Sequence, residues 1–150
     1  MKKIIIVLVI FCSSFSYSQC ELKLVEIINS LSLNESEFET FAFKKGFSFD
    51  YSLDVFLCDI AFVDGSHAQL VRKYTEGILN VGYTFTSKLL YLAFKEELEL
   101  RGETLEVIKL DYGQMRNYIY SNKLVSILNN TYEGENKKTN FYSVIVYLVP

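Results

Sequence analysis

The sequence predicts an α+β protein in two layers, with helices packed on a curved antiparallel sheet. Three observations lead to this class. Apolar residues first recur at helical spacing, then alternate with a period of two in several short runs, and this order of helix and strands occurs twice. Short turns separate successive runs, as antiparallel strands require. Helices that cover such a sheet would bury many of the 12 Phe and 11 Tyr side chains.

The chain begins with a segment that is typical of an export signal. Two lysines precede the unbroken apolar run Ile4–Phe11, and small residues follow it. The run is too short to cross a bilayer, which needs roughly 20 apolar residues. We therefore expect cleavage between Ser18 and Gln19. Residues 19–150 then form one exported domain without a membrane span, in the periplasm or secreted.

The charge of the chain argues against nucleic-acid binding. Loss of the leader removes two lysines and no acids, so the net charge moves from −3 to −5. Proteins that bind phosphate backbones do so through clustered Lys and Arg. Here the basic residues occur at most in pairs, such as Lys44-Lys45 and Lys137-Lys138. We expect no nucleic-acid partner.

Two cysteines, Cys20 and Cys58, remain in the mature chain, and an exported protein can pair them. Such a bridge would join the N-terminus to a central strand. The alternative is a buried thiol at Cys58, within an apolar run, and a frayed Cys20. Sequence leaves both open, because the Cα separation decides whether the bond can form.

Two helices are predicted before the first strand. Apolar residues from Leu24 to Leu31 recur on one helical face. A second helix begins after Asn34, whose side chain can accept from a free N–H while Glu37 occupies the third position of a capping box. Gly46 then ends this helix.

Four strands are predicted after Gly46, and the third is preceded by a turn at Asp64-Gly65. They cover Phe47–Asp50, Val55–Phe62, Ala68–Tyr74 and Gly77–Phe85. The second run is apolar on both faces apart from Asp59. This pattern favours a central strand, or one covered by a helix on one face and a partner on the other.

The second half repeats this order. A helix is predicted from Thr86 to Arg101, before Gly102, and four strands follow: Leu105–Tyr112, Arg116–Ser121, Lys123–Asn130 and Thr139–Val149. The last strand alternates apolar residues on both faces and should be interior. The repeat indicates an internal duplication. Two similar units can also arise without duplication, because the number of stable arrangements of helices and strands is small.

Two short stretches carry a resemblance. The sequence Lys-Gly-Phe-Ser-Phe at Lys45–Phe49 and the Ser-Gln end of the leader resemble small uncharacterised exported proteins of the Bacteroidota type. The likeness implies export and no particular activity.

Catalytic motifs are missing from the sequence. His67 is the sole histidine, and Asp64 and Ser66 lie within the same turn, where a nucleophile, a base and an orienting acid cannot converge. Asp59 lies in an apolar run and would need a partner or a raised pKa if buried, although a position at a sheet end is the simpler explanation. No phosphate-binding glycine loop or metal-spaced cysteine pair occurs, so we expect no cofactor and no metal.

The aromatic residues point to a binding surface. Arg116, Tyr118 and Tyr120 share one face of a predicted strand, and Tyr with Arg on an exposed face is typical of protein interfaces. Tyrosines also suit ordinary half-buried strands. We predict an exported, non-enzymatic binding or accessory protein that recognises another exported protein through this face or an edge strand. The alternative is a small apolar-ligand carrier or a carboxylate-dependent hydrolase. The oligomeric state is not predicted.

Overall fold

The computed structural model describes residues 20–58, 68–133 and 138–148, and within these ranges it has three α-helices and eight β-strands. The helices are α1 (Leu24–Ser30), α2 (Glu35–Lys44) and α3 (Lys88–Arg101). The strands are β1 (Phe47–Asp50), β2 (Val55–Cys58), β3 (Ala68–Thr75), β4 (Ile78–Phe85), β5 (Glu103–Leu110), β6 (Gly113–Tyr120), β7 (Lys123–Glu133) and β8 (Lys138–Tyr147). The α+β class is as predicted, with the sheet dominant. The predicted leader and its cut at Ser18 and Gln19 lie outside the described residues.

All eight strands form one antiparallel sheet in the order β1-β2-β3-β4-β8-β7-β6-β5. Each half of the chain supplies a four-strand meander, and the two meanders meet where β4 pairs with β8. The predicted interior position of the last strand is therefore confirmed. The strand predicted to be central is instead second from an edge, since β2 lies between β1 and β3. The strands β1 and β5 form the two edges.

Helix α2 begins and ends as the sequence predicts. Asn34 Oδ1 accepts from the Glu37 N–H at 3.0 Å, and the Glu37 carboxylate accepts from the Asn34 N–H at 2.9 Å. This reciprocal pair is a complete capping box, although Asn replaces the usual Ser or Thr. At the other end, Gly46 has a φ of 91°, a left-handed conformation that suits glycine.

Helix α3 begins later than predicted and ends at Arg101, as predicted. It begins at Lys88, two residues later than predicted, because Ser87 and not Thr86 supplies the cap: its Oγ accepts from the Leu90 N–H at 3.3 Å. Gly102 ends the helix in an extended conformation, with a φ of −100°. A Cβ at Gly102 would lie 2.7 Å from the Leu98 carbonyl oxygen, so close packing rather than left-handed backbone requires glycine here.

The core lies between the helices and one face of the sheet. Leu70, Tyr83, Val144 and Ile127 are successive register partners across β3, β4, β8 and β7, and all four are fully buried. Aromatic contacts join the helices to this face. Phe38 of α2 meets Phe56 of β2 with ring centroids 5.7 Å apart. Tyr91 of α3 stacks on Tyr142 of β8 at 4.6 Å. These contacts place α2 over the first meander and α3 over the second.

A disulfide joins Cys20 to Cys58, with the two Cα atoms 5.9 Å apart. Cys20 is buried, its N–H donates to the Lys45 carbonyl oxygen at 2.7 Å, and its own carbonyl oxygen accepts from the Tyr83 hydroxyl at 2.9 Å. The sequence left open either a disulfide or a buried Cys58 thiol with a frayed Cys20. The structure has the disulfide, and Cys20 is not frayed. The start of the described chain is therefore held against the sheet.

Among the residues that the structure describes, no helix is both long enough and apolar enough to cross a membrane.

Candidate protein-binding edge

The tyrosine face predicted to be exposed is covered by α3. Arg116, Tyr118 and Tyr120 do share one face of β6, as strand alternation requires. That face is the one that also contributes Val125 and Ile127 to the core, and Tyr118 is fully buried. The prediction of an exposed face was wrong, because alternation identifies which residues share a face but not which face contacts a helix.

Two of these residues hold α3 on the sheet. The Tyr120 hydroxyl donates to Glu97 Oε1 at 2.8 Å. Arg116 Nη1 lies 3.7 Å from Glu99 Oε1, and Arg116 Nε donates to Gln114 at 3.3 Å. Their polar groups therefore make contacts within the chain rather than presenting a free surface.

The ionisation of these tyrosines excludes a role as bases near neutral pH. The hydrogen bond to the Glu97 carboxylate, with burial adding to it, raises the pKa of Tyr120. Burial raises the pKa of Tyr118, the nearby Glu99 carboxylate adds to the rise, and Arg116 partly offsets it. An unperturbed tyrosine already has a pKa of about 10. Both hydroxyls therefore stay protonated near neutral pH.

The acid and nucleophile candidates from the sequence cannot be placed. Asp59, Asp64, Ser66 and His67 all lie outside the described residues. Within the described ranges, no three His, Cys, Asp or Glu side chains come together in a group that could hold a metal ion.

An open groove of about 400 Å³ runs along α2. It is lined by Leu33, Ser36, Glu37, Thr40, Phe41 and Lys44. Four of these residues are exposed, and the two apolar ones are half-buried. Ligand pockets normally bury most of the surface of a small molecule. This groove would leave a ligand largely in water, which does not favour the carrier alternative.

Strand β5 presents an open edge. It pairs with β6 on one side, and no strand of the described chain lies on the other. Three large apolar side chains on it are exposed, Leu105 at 50%, Val107 at 45% and Leu110 at 38%. An edge with unpaired N–H and C=O groups is a template for another strand. The opposite edge, β1, is four residues long, and short edge strands pair less readily.

A polar chain across three strands holds β5 in place. Asn117 Nδ2 of β6 donates to Glu106 Oε1 at 2.7 Å, and Ser126 Oγ of β7 donates to Asn117 Oδ1 at 2.6 Å. Both Asn117 and Ser126 are buried. The register is regular from Glu106 to Leu110, beyond an irregularity between Thr104 and Glu106. This half of β5 is thus an edge with regular pairing to β6.

The sequence contained a signal for this edge that the strand prediction did not use. Apolar residues occur at Leu105, Val107, Ile108 and Leu110, so they break strict alternation and place apolar side chains on both faces. An edge strand facing water normally alternates apolar and polar residues.

Comparisons with known proteins give no assignment. The chain matches no protein-family model, no curated protein and no solved structure. Its function is therefore inferred from its own geometry.

Proposed function

We propose that this chain is an exported, non-enzymatic protein that binds another exported polypeptide by adding one of its strands to β5. The observation that carries the proposal is the open edge of β5, which is regular from Glu106 to Leu110 and presents the exposed side chains of Val107 and Leu110, with Leu105 exposed at the irregularity before it. In strand addition, backbone hydrogen bonds supply affinity and alternate side chains supply specificity. Strand β5 has both an open backbone edge and exposed apolar side chains.

The chemistry of β5 defines the partner segment. Val107 and Lys109 point to one face, whereas Ile108 and Leu110 point to the other, because neighbours in a strand alternate. An added strand would therefore meet an apolar residue on each face. We expect an extended segment rich in β-branched residues, with apolar side chains on both faces and an acidic residue near Lys109.

Three observations support export. The leader Met1–Ser18 has the composition of a cleaved signal, and the resemblance noted above is to exported proteins. The Cys20–Cys58 disulfide fits an oxidising compartment, where such bonds persist. These observations support a periplasmic or secreted location.

We infer a two-layer architecture built by duplication. The first meander runs β1 to β4 from one edge and the second runs β5 to β8 from the other, so β4 and β8 meet antiparallel at the centre. An approximate two-fold axis through this seam would relate α2 and its meander to α3 and its meander. Two copies of one unit would give this order directly. The helix contacts described above fall on one face, as two layers require.

The test is capture of the partner from the exported fraction with a C-terminally tagged chain. The intact mass of the recovered protein should correspond to a start at Gln19. Wild type should retain a near-stoichiometric protein, and Val107→Lys should lose it, since lysine on an edge strand opposes added strands. Val25→Lys is the matched control, because Val25 lies on α1 and is 50% exposed.

Two outcomes contradict the proposal. One is a wild-type capture without any partner. The other is a partner that Val107→Lys retains as fully as Val25→Lys does. Circular dichroism of both variants separates a lost interface from a lost fold.

A further inference from the structure

Helix α3 has a second apolar face, directed away from the sheet. Tyr91, Phe94 and Leu98 are buried against the sheet. On the opposite side, Leu89 is 81%, Leu92 is 45% and Leu100 is 75% exposed. A helix on a sheet normally has one apolar stripe and a polar outer face. An outer face with three leucines within three turns indicates that something covers it.

The charges beside this face are arranged against the helix dipole. Acids stabilise the first turn of a helix and bases the last. Helix α2 follows this rule, with two glutamates in its first turn and a lysine in its last. Helix α3 has no acid in its first turn and begins at Lys88. Its second half carries Glu96, Glu97 and Glu99 together with Lys95 and Arg101. Glu99 lies near Lys95 and Arg116, and Glu97 accepts from Tyr120, so Glu96 is the glutamate of this group without such a partner among the described residues.

We propose that α3 packs antiparallel against α3 of a second copy of this chain, around a two-fold axis near Ala93. Ala93 is exposed at the centre of the outer face, and its small side chain permits close approach. Leu89 lies four residues before it and Leu100 seven after it. With a rise of about 1.5 Å per residue, Leu89 of one copy lies about 4.5 Å along the axis from Leu100 of the other. These leucines are therefore within packing reach.

The same axis brings opposite charges together. Lys88 lies five residues before Ala93 and Glu96 three after it, so Lys88 of one copy and Glu96 of the other lie about 3 Å apart along the axis. Both are exposed, and within the described residues neither forms an ion pair. Antiparallel apposition also sets each helix dipole against the opposite dipole. Lys88 at the start of α3 and Glu96 in its second half oppose the dipole of their own helix and become favourable between two copies, which points to a second copy as the occupant.

The test is the mass of the mature protein measured by analytical ultracentrifugation across a concentration series. Wild type should be a dimer that dissociates on dilution. Leu89→Gln/Leu100→Gln should weaken association by at least about tenfold, because central apolar anchors dominate interfaces. Lys88→Glu should weaken it less, and Lys88→Glu/Glu96→Lys should restore it, because the swap exchanges the partners of the same ion pair.

Leu53→Gln is the control, since Leu53 is exposed in the turn between β1 and β2, away from α3. It should leave the dimer unchanged. The proposal is overturned by a wild type that stays monomeric up to roughly 100 µM, by a dimer that the leucine variants leave intact, or by a charge swap that does not restore association. A dimer lost only in Val107→Lys would place the interface at β5 and also overturn it.

Discussion

Cys20 connects the start of the described chain to two distant parts of the sequence. Its sulfur is bonded to Cys58 of β2, and its carbonyl oxygen accepts from Tyr83 of β4. Burial raises the pKa of Tyr83, so its hydroxyl keeps its proton and remains a donor. One residue thus joins the N-terminal end to the sheet through a covalent bond and a buried hydrogen bond.

Removing the disulfide should lower stability substantially. The bond closes a loop between residues 38 apart, and the chain-entropy model assigns such a closure about 4 kcal/mol. The Cys20→Ala/Cys58→Ala variant should lose about this much free energy of unfolding, measured by chemical denaturation without reductant.

Reduction provides the control for that measurement. Dithiothreitol should destabilise the wild type and leave the double-alanine variant unchanged, because only the wild type has a bond to reduce. Equal stability of oxidised and reduced wild type would show that the bond contributes nothing.

At the scale of elements, an ion pair joins the two N-terminal helices. Glu26 of α1 accepts from the Lys23 N–H at 2.9 Å and forms a salt bridge with Lys45, the residue after α2. Burial opposes ionisation of Glu26, but the hydrogen bonds from Lys23 and Lys45 and their positive charges outweigh it. Together they lower the pKa of this carboxyl from its ordinary value of 4.5.

This contact predicts a pH-dependent contribution to stability. Because the pKa of Glu26 is lower in the folded state, the unfolded chain takes up the proton first as pH falls. The contribution is therefore complete above pH 4.5 and is lost as pH falls through the lowered pKa. Glu26→Gln should cost up to about 1 kcal/mol at pH 7, and less at pH 3, in urea denaturation.

Glu39→Gln is the comparison, since Glu39 is exposed on α2. This substitution should change the free energy of unfolding by no more than about 0.5 kcal/mol. A cost for Glu26→Gln that stays constant from pH 7 to pH 3 would contradict the assigned role of the carboxylate charge.

At the scale of the whole molecule, the seam between the two meanders should be the most stable part of the sheet. Strands β4 and β8 are paired on both sides and contribute the buried Tyr83, Val144 and Val146. Strand β5 is paired on one side and is mostly exposed. Amide hydrogen exchange should be slowest in β4 and β8 and fastest, among the strands, in β5. Equal protection of β5 and β8 in the isolated protein would contradict this order.

Local sequence signals located most of the helices and strands. The Asn34 and Glu37 capping box and Gly46 determined α2, because these residues act on their own backbone. Alternation and turn residues located the strands that are described, within a few residues at each end. The sequence did not decide whether the disulfide forms. Formation depends on the distance between the two Cα atoms, and this distance is set only by folding.

The binding surface could not be read from the sequence in the same way. The sequence determined that Arg116, Tyr118 and Tyr120 share a face, since a strand alternates regardless of its surroundings. Only the tertiary structure decided that α3 covers this face and that β5 is an open edge among the described strands. Strand order and helix placement arise from contacts between residues far apart in the chain. Which face of a strand becomes buried therefore depends on these long-range contacts and not on the local sequence.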